Sequence, residues 1–163
     1  MMKPWIQRPF EVRNLFNPAF CGVVLARAIE GYQAESELGL PYSLAHLVLP
    51  LSLHKGTREV LAKGKRSYIL KVLEINPQIQ VGFPERAVGM RAFTQEGLGL
   101  LMQKDCITVS EDGCLSLVSG KVTKAIKGTA EGKECQNVAK YLGKQFARVS
   151  DRTTIFSTLG VRP

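Results

Sequence analysis

Residues 106–118 read CITVSEDGCLSLV. Ile107 and Val109, then Leu115 and Leu117, alternate with polar neighbours, the two-residue period of a half-buried strand. Asp112-Gly113 sits between the two runs, a strong hairpin turn signal. The segment therefore reads as two short strands and a tight turn. Upstream the period is helical. Thr57 can cap a short helix through Leu61, Gly64 breaks it, and Ser67 can cap the next, which carries Ile69, Leu70, Val72 and Leu73. Asn76-Pro77 stops that helix and starts another, with Val81, Ala87, Val88 and Met90 leading to about Ala92. Thr94 then reads as the cap of a separate, leucine-rich helix, Gln95 to Lys104, with Glu96 favourable near its N-terminus. Helices, a short helix and then a hairpin is the order of a winged helix-turn-helix with the hairpin as wing. The expected fold class is mainly α with one β-hairpin, a winged helix-turn-helix-like accessory domain with apolar N- and C-terminal extensions.

Further upstream, residues 8–22 read RPFEVRNLFNPAFCG. Asn17 can accept a hydrogen bond from a free backbone N–H at a helix start. Pro18 suits the first helical position, where its missing N–H costs nothing. The first helix is expected from Pro18 to about Glu35, with Gly31, Gly39 and Pro41 punctuating its end. Phe20, Val23, Val24, Ala28 and Ile29 leave it little polar surface, which makes it central or pinned under a partner. A second apolar segment opens at Pro41, with Leu44, Leu47, Val48 and Leu51 at helical spacing and Pro50 as a kink or stop. Downstream of the hairpin, Lys121 to Gly132 reads as a loop. Lys133 to Ser150 reads as an amphipathic helix, with Cys135, Val138, Leu142, Phe146 and Val149 on one stripe and Lys133, Lys140, Lys144 and Arg148 opposite. The tail, TTIFSTLGVRP, is apolar enough that leaving Ile155, Phe156 and Leu159 in water would cost about 1.5–3 kcal/mol each. One domain is expected: an arm over residues 1–17, a core over 18–120, and a linker, helix and tail over 121–163.

The chain has 163 residues, 45% hydrophobic and 22% charged, enough for one domain with a real core. Its formal net charge is +8, which suits an anionic partner such as nucleic acid but says nothing of fold. Cys21, Cys106, Cys114 and Cys135 form no CxxC pair, and neither His46 nor His54 stands at zinc-ligand spacing from them. Reduced, buried thiols are the expectation. Met1 to Pro9 lacks the apolar run of a signal peptide. The most apolar stretch, Leu38 to Leu53, is too short to span a bilayer and holds two prolines. A soluble, cytoplasmic protein with no membrane partner is expected.

No phosphate-binding GxxxxGK[ST], no GxGxxG opening a helix after a strand, no HExxH and no GxSxG occurs. His46 and His54 would lie roughly 80° apart on a straight helix, with Pro50 between them, so a shared metal is not expected. His54 beside Lys55 reads as a helix C-terminal residue. Glu111 and Asp112 belong to a turn, and no carboxylate pair suggests acid–base work. Cys21 stands near a helix start, where a thiolate is favoured, but between Phe20 and Val23 it reads as a structural thiol. No enzyme, cofactor or metal site is expected.

Between Lys55 and Lys71 stand Lys55, Arg58, Lys63, Lys65, Arg66 and Lys71 against Glu59 alone. They read either as a phosphate-contacting patch, which would displace counterions from a duplex, or as a solvated surface around two short helices. The basic face of the Lys133–Ser150 helix reads first as solvated surface. The Gln95–Lys104 helix, mostly leucine and glycine, suits packing better than base readout, so contact with DNA would be through the backbone.

Five segments carry a family resemblance: RPFEVRNLFNPAFCG at 8–22, LPLSLHKGTRE at 49–59, NPQIQVGFPERA at 76–87, FTQEGL at 93–98 and FSTLGVRP at 156–163. Over nearly the whole chain they are similar to the middle component of bacterial three-component ABC systems, a group that includes accessory subunits of Lamassu-type anti-phage defence. The resemblance implies a non-catalytic subunit of a hetero-oligomer. Its partners would be an SMC- or Rad50-like ABC ATPase and a nuclease-type effector, with double-stranded DNA as a further ligand. The subunit would bridge the two partners and hold the effector inactive until foreign DNA is sensed. Apolar density at the two ends makes Phe10, Leu15, Phe16, Ile155, Phe156 and Leu159 the expected docking residues. The charge cluster makes Lys55, Arg58, Lys65 and Arg66 the expected contacts to DNA backbone. The alternative is a free-standing winged-helix transcription regulator, a homodimer reading one operator with a large specificity ratio.

Overall fold

A computed structural model describes residues 4–9 and 16–163; Phe10 and Leu15 lie outside the described residues. A single 3-10 turn, Trp5–Gln7, precedes the first helix. Helix α1 spans Pro18–Glu35 and begins as expected: the Asn17 side chain accepts from the Ala19 amide at 2.8 Å, and Pro18 opens the first turn. It is the axis of the molecule. Cys21, Val24, Leu25, Ala28 and Ile29 are all fully buried, because the helix is covered on several sides. Helices α2 (Tyr42–Ser52), α3 (Lys55–Lys63), α4 (Ile69–Ile75), α5 (Phe83–Gln103), α6 (Ala130–Arg148) and α7 (Arg152–Thr158) follow. The most extensive contact joins α1 to α6, the next α1 to α5, and α2 packs against α5.

Gly31 does not punctuate α1; the helix runs through it. An alanine Cβ at Gly31 would sit 3.0 Å from the Lys140 carbonyl carbon and 3.1 Å from the Lys144 nitrogen. One at Gly143 would sit 2.8 Å from the Ala28 carbonyl carbon and 2.9 Å from the Tyr32 nitrogen. The two glycines therefore mark one crossing, where the backbones of α1 and α6 meet with no side chain between them. Gly22 and Gly97 mark a second such crossing, between α1 and α5, with a Cβ at Gly97 only 3.1 Å from the Gly22 nitrogen.

The two helices expected on either side of Thr94 are one 21-residue helix, α5. Thr94 is fully buried in its interior and caps nothing. Met90, Thr94, Leu98 and Leu101, spaced four, four and three, make one buried stripe across the expected break. The helix-turn-helix is therefore not formed at 92–95. Gly82, in the left-handed region at φ 71°, and Pro84 in the first turn start α5 instead.

The hairpin is present. Strands β2 (Ile107–Val109) and β3 (Cys114–Leu117) pair antiparallel, Thr108 opposite Ser116, and Gly113 at φ 75° closes the turn by donating to the Ser110 carbonyl at 3.0 Å. A third strand was not legible. β1, Leu40–Pro41, pairs antiparallel with β3, Leu40 opposite Leu115, giving the order β1-β3-β2. Two residues are too few to show a period. Gly39 lets β1 approach, since a Cβ there would meet the Leu115 carbonyl carbon at 2.7 Å.

Two further caps, and the start of α6 expected at Lys133, differ from expectation. His54, not Thr57, caps α3: its Nδ1 accepts from the Thr57 amide at 3.3 Å and lies 2.9 Å from the Thr57 hydroxyl. His54 thus begins a helix and does not end one. Ser67 does not cap α4; the Ile69 amide donates at 3.0 Å to Gln145 Oε1 on α6. Thr129 caps α6, accepting from the Gly132 amide at 3.0 Å, and the stripe Cys135, Val138, Leu142, Phe146, Val149 is buried as expected.

Candidate functional site

Two arginines that the sequence shows only as charge are structural. Arg27, 3% exposed on α1, donates to the Thr123 carbonyl at 2.8 Å, the Ala125 carbonyl at 3.1 Å and Gln136 Oε1 at 3.2 Å. Gln136 in turn donates to the Lys127 carbonyl at 2.9 Å. The 121–129 loop, which has no regular hydrogen bonding of its own, is strapped over α1 and α6 by these contacts. Arg58 is also 3% exposed. It donates to Glu131 Oε1 at 2.8 Å, Glu134 Oε1 at 2.9 Å and the Leu53 carbonyl at 3.3 Å. Burial works against its charge, but the hydrogen bonds to Glu134 and Glu131 win and raise its pKa. Arg58 thus ties α3 to the end of α2 and the start of α6, and is spent inside the fold. It is not an available phosphate contact.

Lys55, Lys65 and Arg66 are exposed. Lys55 stands at the start of α3, apart from the other two. Lys65 and Arg66 lie in the turn between α3 and α4, and α6 decides where that turn sits. The Tyr141 hydroxyl donates to the Ser67 carbonyl at 2.9 Å, and Gln145 holds the Ile69 amide. Burial pushes the Tyr141 hydroxyl up to about 12, so it stays a neutral donor. The pinned turn and α6 enclose an open groove of about 470 Å³, walled by Lys65 and Arg66 on one side and Lys140, Lys144 and Arg148 on the other. A contiguous depression of about 260 Å³ adds Lys133 and shares Lys65 and Asn137. Two basic segments that looked separate in sequence form one face. Of its cations, Lys140 pairs with Glu30 at 3.4 Å and Arg148 with Glu35 at 2.9 Å. Among the described residues the other four, Lys65, Arg66, Lys133 and Lys144, have no ion pair.

The expected docking ends are placed differently. Ile155, Phe156 and Leu159 are at most 3% exposed, inside the chain's own core. Helix α7, capped by Asp151 accepting from the Thr153 amide at 2.9 Å, folds the tail back. These three side chains are unavailable as a surface. Phe16 is half-buried and stacks on Phe93 of α5, centroids 4.7 Å apart, while Arg8 forms an ion pair with Glu96 of the same helix. The described part of the arm therefore packs on its own domain. Large apolar side chains do remain exposed elsewhere, among them Val81 and Val88 at 77% and 76%.

Among the described residues no three His, Cys, Asp or Glu side chains converge as a metal site would require. Burial pushes the Cys21 thiol up to about 12 and raises that of Cys135, so neither is a ready nucleophile. His46 meets Tyr42 edge to face at 4.8 Å, and its buried Nδ1 has no hydrogen-bond partner among the described residues. No helix among the described residues is long and apolar enough to cross a membrane.

No curated protein and no solved structure matches the chain. The sequence model of the ABC-three component (ABC-3C) system Middle Component 3 family matches residues 5–163. That span takes in the arm, the α1 axis, the hairpin, the basic face and the folded-back tail, and the chain belongs to the ABC-three component system Middle Component 3 family.

Proposed function

We propose that this chain is a non-catalytic accessory subunit of a cytoplasmic defence complex against phage or plasmids, akin to Lamassu-type systems. It docks on an SMC- or Rad50-like ABC ATPase, bridges it to a nuclease-type effector, and restrains the effector until foreign DNA engages the complex, with DNA backbone as a further ligand. Membership of a middle-component family over residues 5–163 carries this reading. It is supported by the use the fold makes of its reactive groups: Arg27, Arg58 and His54 are all engaged in holding the fold. The surface offered to the ATPase is the outward side of α5 and the segment before it, with Val81, Val88 and Arg91 exposed, together with the arm around Phe16. The winged-helix likeness rests on the hairpin that follows α5, without a separate recognition helix. A free-standing operator-reading dimer has correspondingly less to work with.

The test is co-expression of the tagged chain with the ATPase and effector components of the same system. Co-elution at a fixed ratio is expected, and Val88→Asp, or Phe10→Ala with Phe16→Ala, is expected to release the ATPase while each variant keeps the wild-type circular dichroism spectrum. A chain that purifies as a homodimer, ignores the ATPase and selects one DNA sequence would overturn the reading in favour of the regulator.

A further inference from the structure

We propose that the groove between the 64–68 turn and α6 is a sequence-independent seat for the backbone of duplex DNA. This deepens the reading of DNA as a ligand of the complex and does not depend on where the ATPase docks. At 100° per residue, Lys133, Asn137, Lys140 and Lys144 fall within an arc of roughly 60° on α6, and Arg148 borders it. The distance from Lys133 to Arg148 along the axis is about 22 Å at 1.5 Å per residue. That matches six or seven base pairs at about 3.4 Å each. Lys65 and Arg66 face this row across the groove. Glu30 and Glu35 are the carboxylates that pair with the row; they form ion pairs with Lys140 and Arg148, and Glu35 also attracts Lys144 without a direct ion pair. Glu134, which borders the adjoining depression, is held by Arg58. Four cations thus remain for phosphates.

The chemistry favours duplex backbone over single strands and over base readout. Tyr141, the aromatic side chain lining the groove, is 6% exposed with its hydroxyl committed, and Tyr68, 46% exposed in the 64–68 turn, is not among the lining residues, so the groove itself offers no aromatic face for a base to stack on. Gln145, which could read a base edge, is committed to the Ile69 amide. What remains is a row of charge and one amide, Asn137, which positions a backbone and carries no sequence information.

The experiment measures fluorescence anisotropy of a labelled 20-base-pair duplex of arbitrary sequence with the isolated full chain, from 50 to 200 mM salt. With four to six phosphates neutralised, log K is expected to fall against log salt with a slope of about −4 to −5. A second duplex of unrelated sequence is expected to bind equally, and a 20-nucleotide single strand more weakly. Replacing Lys65, Arg66, Lys133 and Lys144 by alanine is expected to lower affinity at least tenfold at 50 mM salt and to flatten the slope by about 4. The charge-matched control replaces Lys104, Lys121, Lys124 and Lys127, which lie outside the groove, and is expected to change affinity less than threefold. Equal losses in the two variants would assign any binding to net charge and overturn the groove. So would absence of binding at 50 mM salt, tighter binding of the single strand, or preference for phosphatidylserine vesicles over duplex. The groove variant is also co-expressed with the ATPase. Loss of DNA with the ATPase retained supports the groove independently of docking, whereas loss of the ATPase alongside DNA would reassign the face to the protein partner.

Discussion

Replacing Gly143 by alanine tests the α1–α6 crossing, the contact on which the rest of the fold is hung. The new Cβ would lie 2.8 Å from the Ala28 carbonyl carbon and 2.9 Å from the Tyr32 nitrogen, and closer still to the Ala28 carbonyl oxygen. Carbon atoms in van der Waals contact prefer about 3.5–4.0 Å. The helices would have to part by roughly 1 Å, and a gap of that size forfeits a quarter to a half of each dispersion contact across it. Overpacking costs about 1–3 kcal/mol where side chains can turn aside. Here the obstacle is helix backbone, which cannot, so the cost is set at about 3–4 kcal/mol on the same scale. Alanine's better helix propensity returns about 1 kcal/mol. The net loss is about 2–3 kcal/mol, a fall in Tm of about 4–12 °C for a chain of this length. The assay is thermal and urea unfolding followed by circular dichroism at 222 nm. Gly99→Ala is the control, because a Cβ at that exposed α5 position meets nothing within 4 Å, and it is expected to raise stability by about 0.5–1 kcal/mol. Gly31→Ala strains the same crossing from the other side. Once the helices have parted for one alanine, the second costs little, so the double variant should lose much less than the sum of the singles. A Gly143→Ala protein as stable as Gly99→Ala, or strictly additive losses in the double variant, would refute the reasoning.

Arg27→Met should release the 121–129 loop by removing the donors to the Thr123 and Ala125 carbonyls. The expected result is faster tryptic cleavage at Lys124 and Lys127 in the folded protein and a stability loss of about 1.5–3 kcal/mol from the lost hydrogen bonds of the guanidinium; unchanged cleavage would count against the strap. Burial, then Arg91, lowers the His46 pKa, and burial, then Arg86 and Arg58, lowers that of His54. Both are therefore held neutral by the fold, so their contribution is complete above the unfolded value of about 6.5 and is lost as pH falls through the depressed folded values. The urea midpoint should drop between pH 7.5 and 5.5, and should drop less in His46→Phe with His54→Asn; a midpoint that rises on acidification would reverse the sign of the argument.

Much of the fold is written locally. Asn17-Pro18 starts α1, Asp112-Gly113 with its flanking alternation makes the hairpin, and a single apolar stripe makes α6. Each depends on residues within one or two turns of one another, where capping, turn geometry and periodicity act directly. Thr94 has the side chain of a cap, but the unbroken Met90–Leu101 stripe carries the helix through it.

The candidate site was legible only in part. Charge density marks Lys65 and Arg66, which wall the groove, but Arg58 in the same cluster is consumed by Glu131 and Glu134, which lie 73 and 76 residues away. Lys133, Lys140 and Lys144 looked like ordinary solvated surface until Tyr141 and Gln145 drew the 64–68 turn against them. The apolar tail signalled a need for burial without saying whether a partner or the chain's own core would meet it, and α7 meets it internally.

By itself, then, the sequence determined a mainly helical chain with one hairpin, where α1, α2 and the hairpin strands start, a basic balance, and a likeness to middle components that the family match bears out. Tertiary structure alone decided that Gly31 faces Gly143, that Leu40 adds a third strand, which arginines are internal, and that two basic segments share one groove. The division has a physical cause. Local conformation follows from neighbours along the chain, whereas a buried ion pair, a bare-backbone crossing or a shared charged face depends on which distant segments meet. One glycine or one arginine carries no mark of its partner.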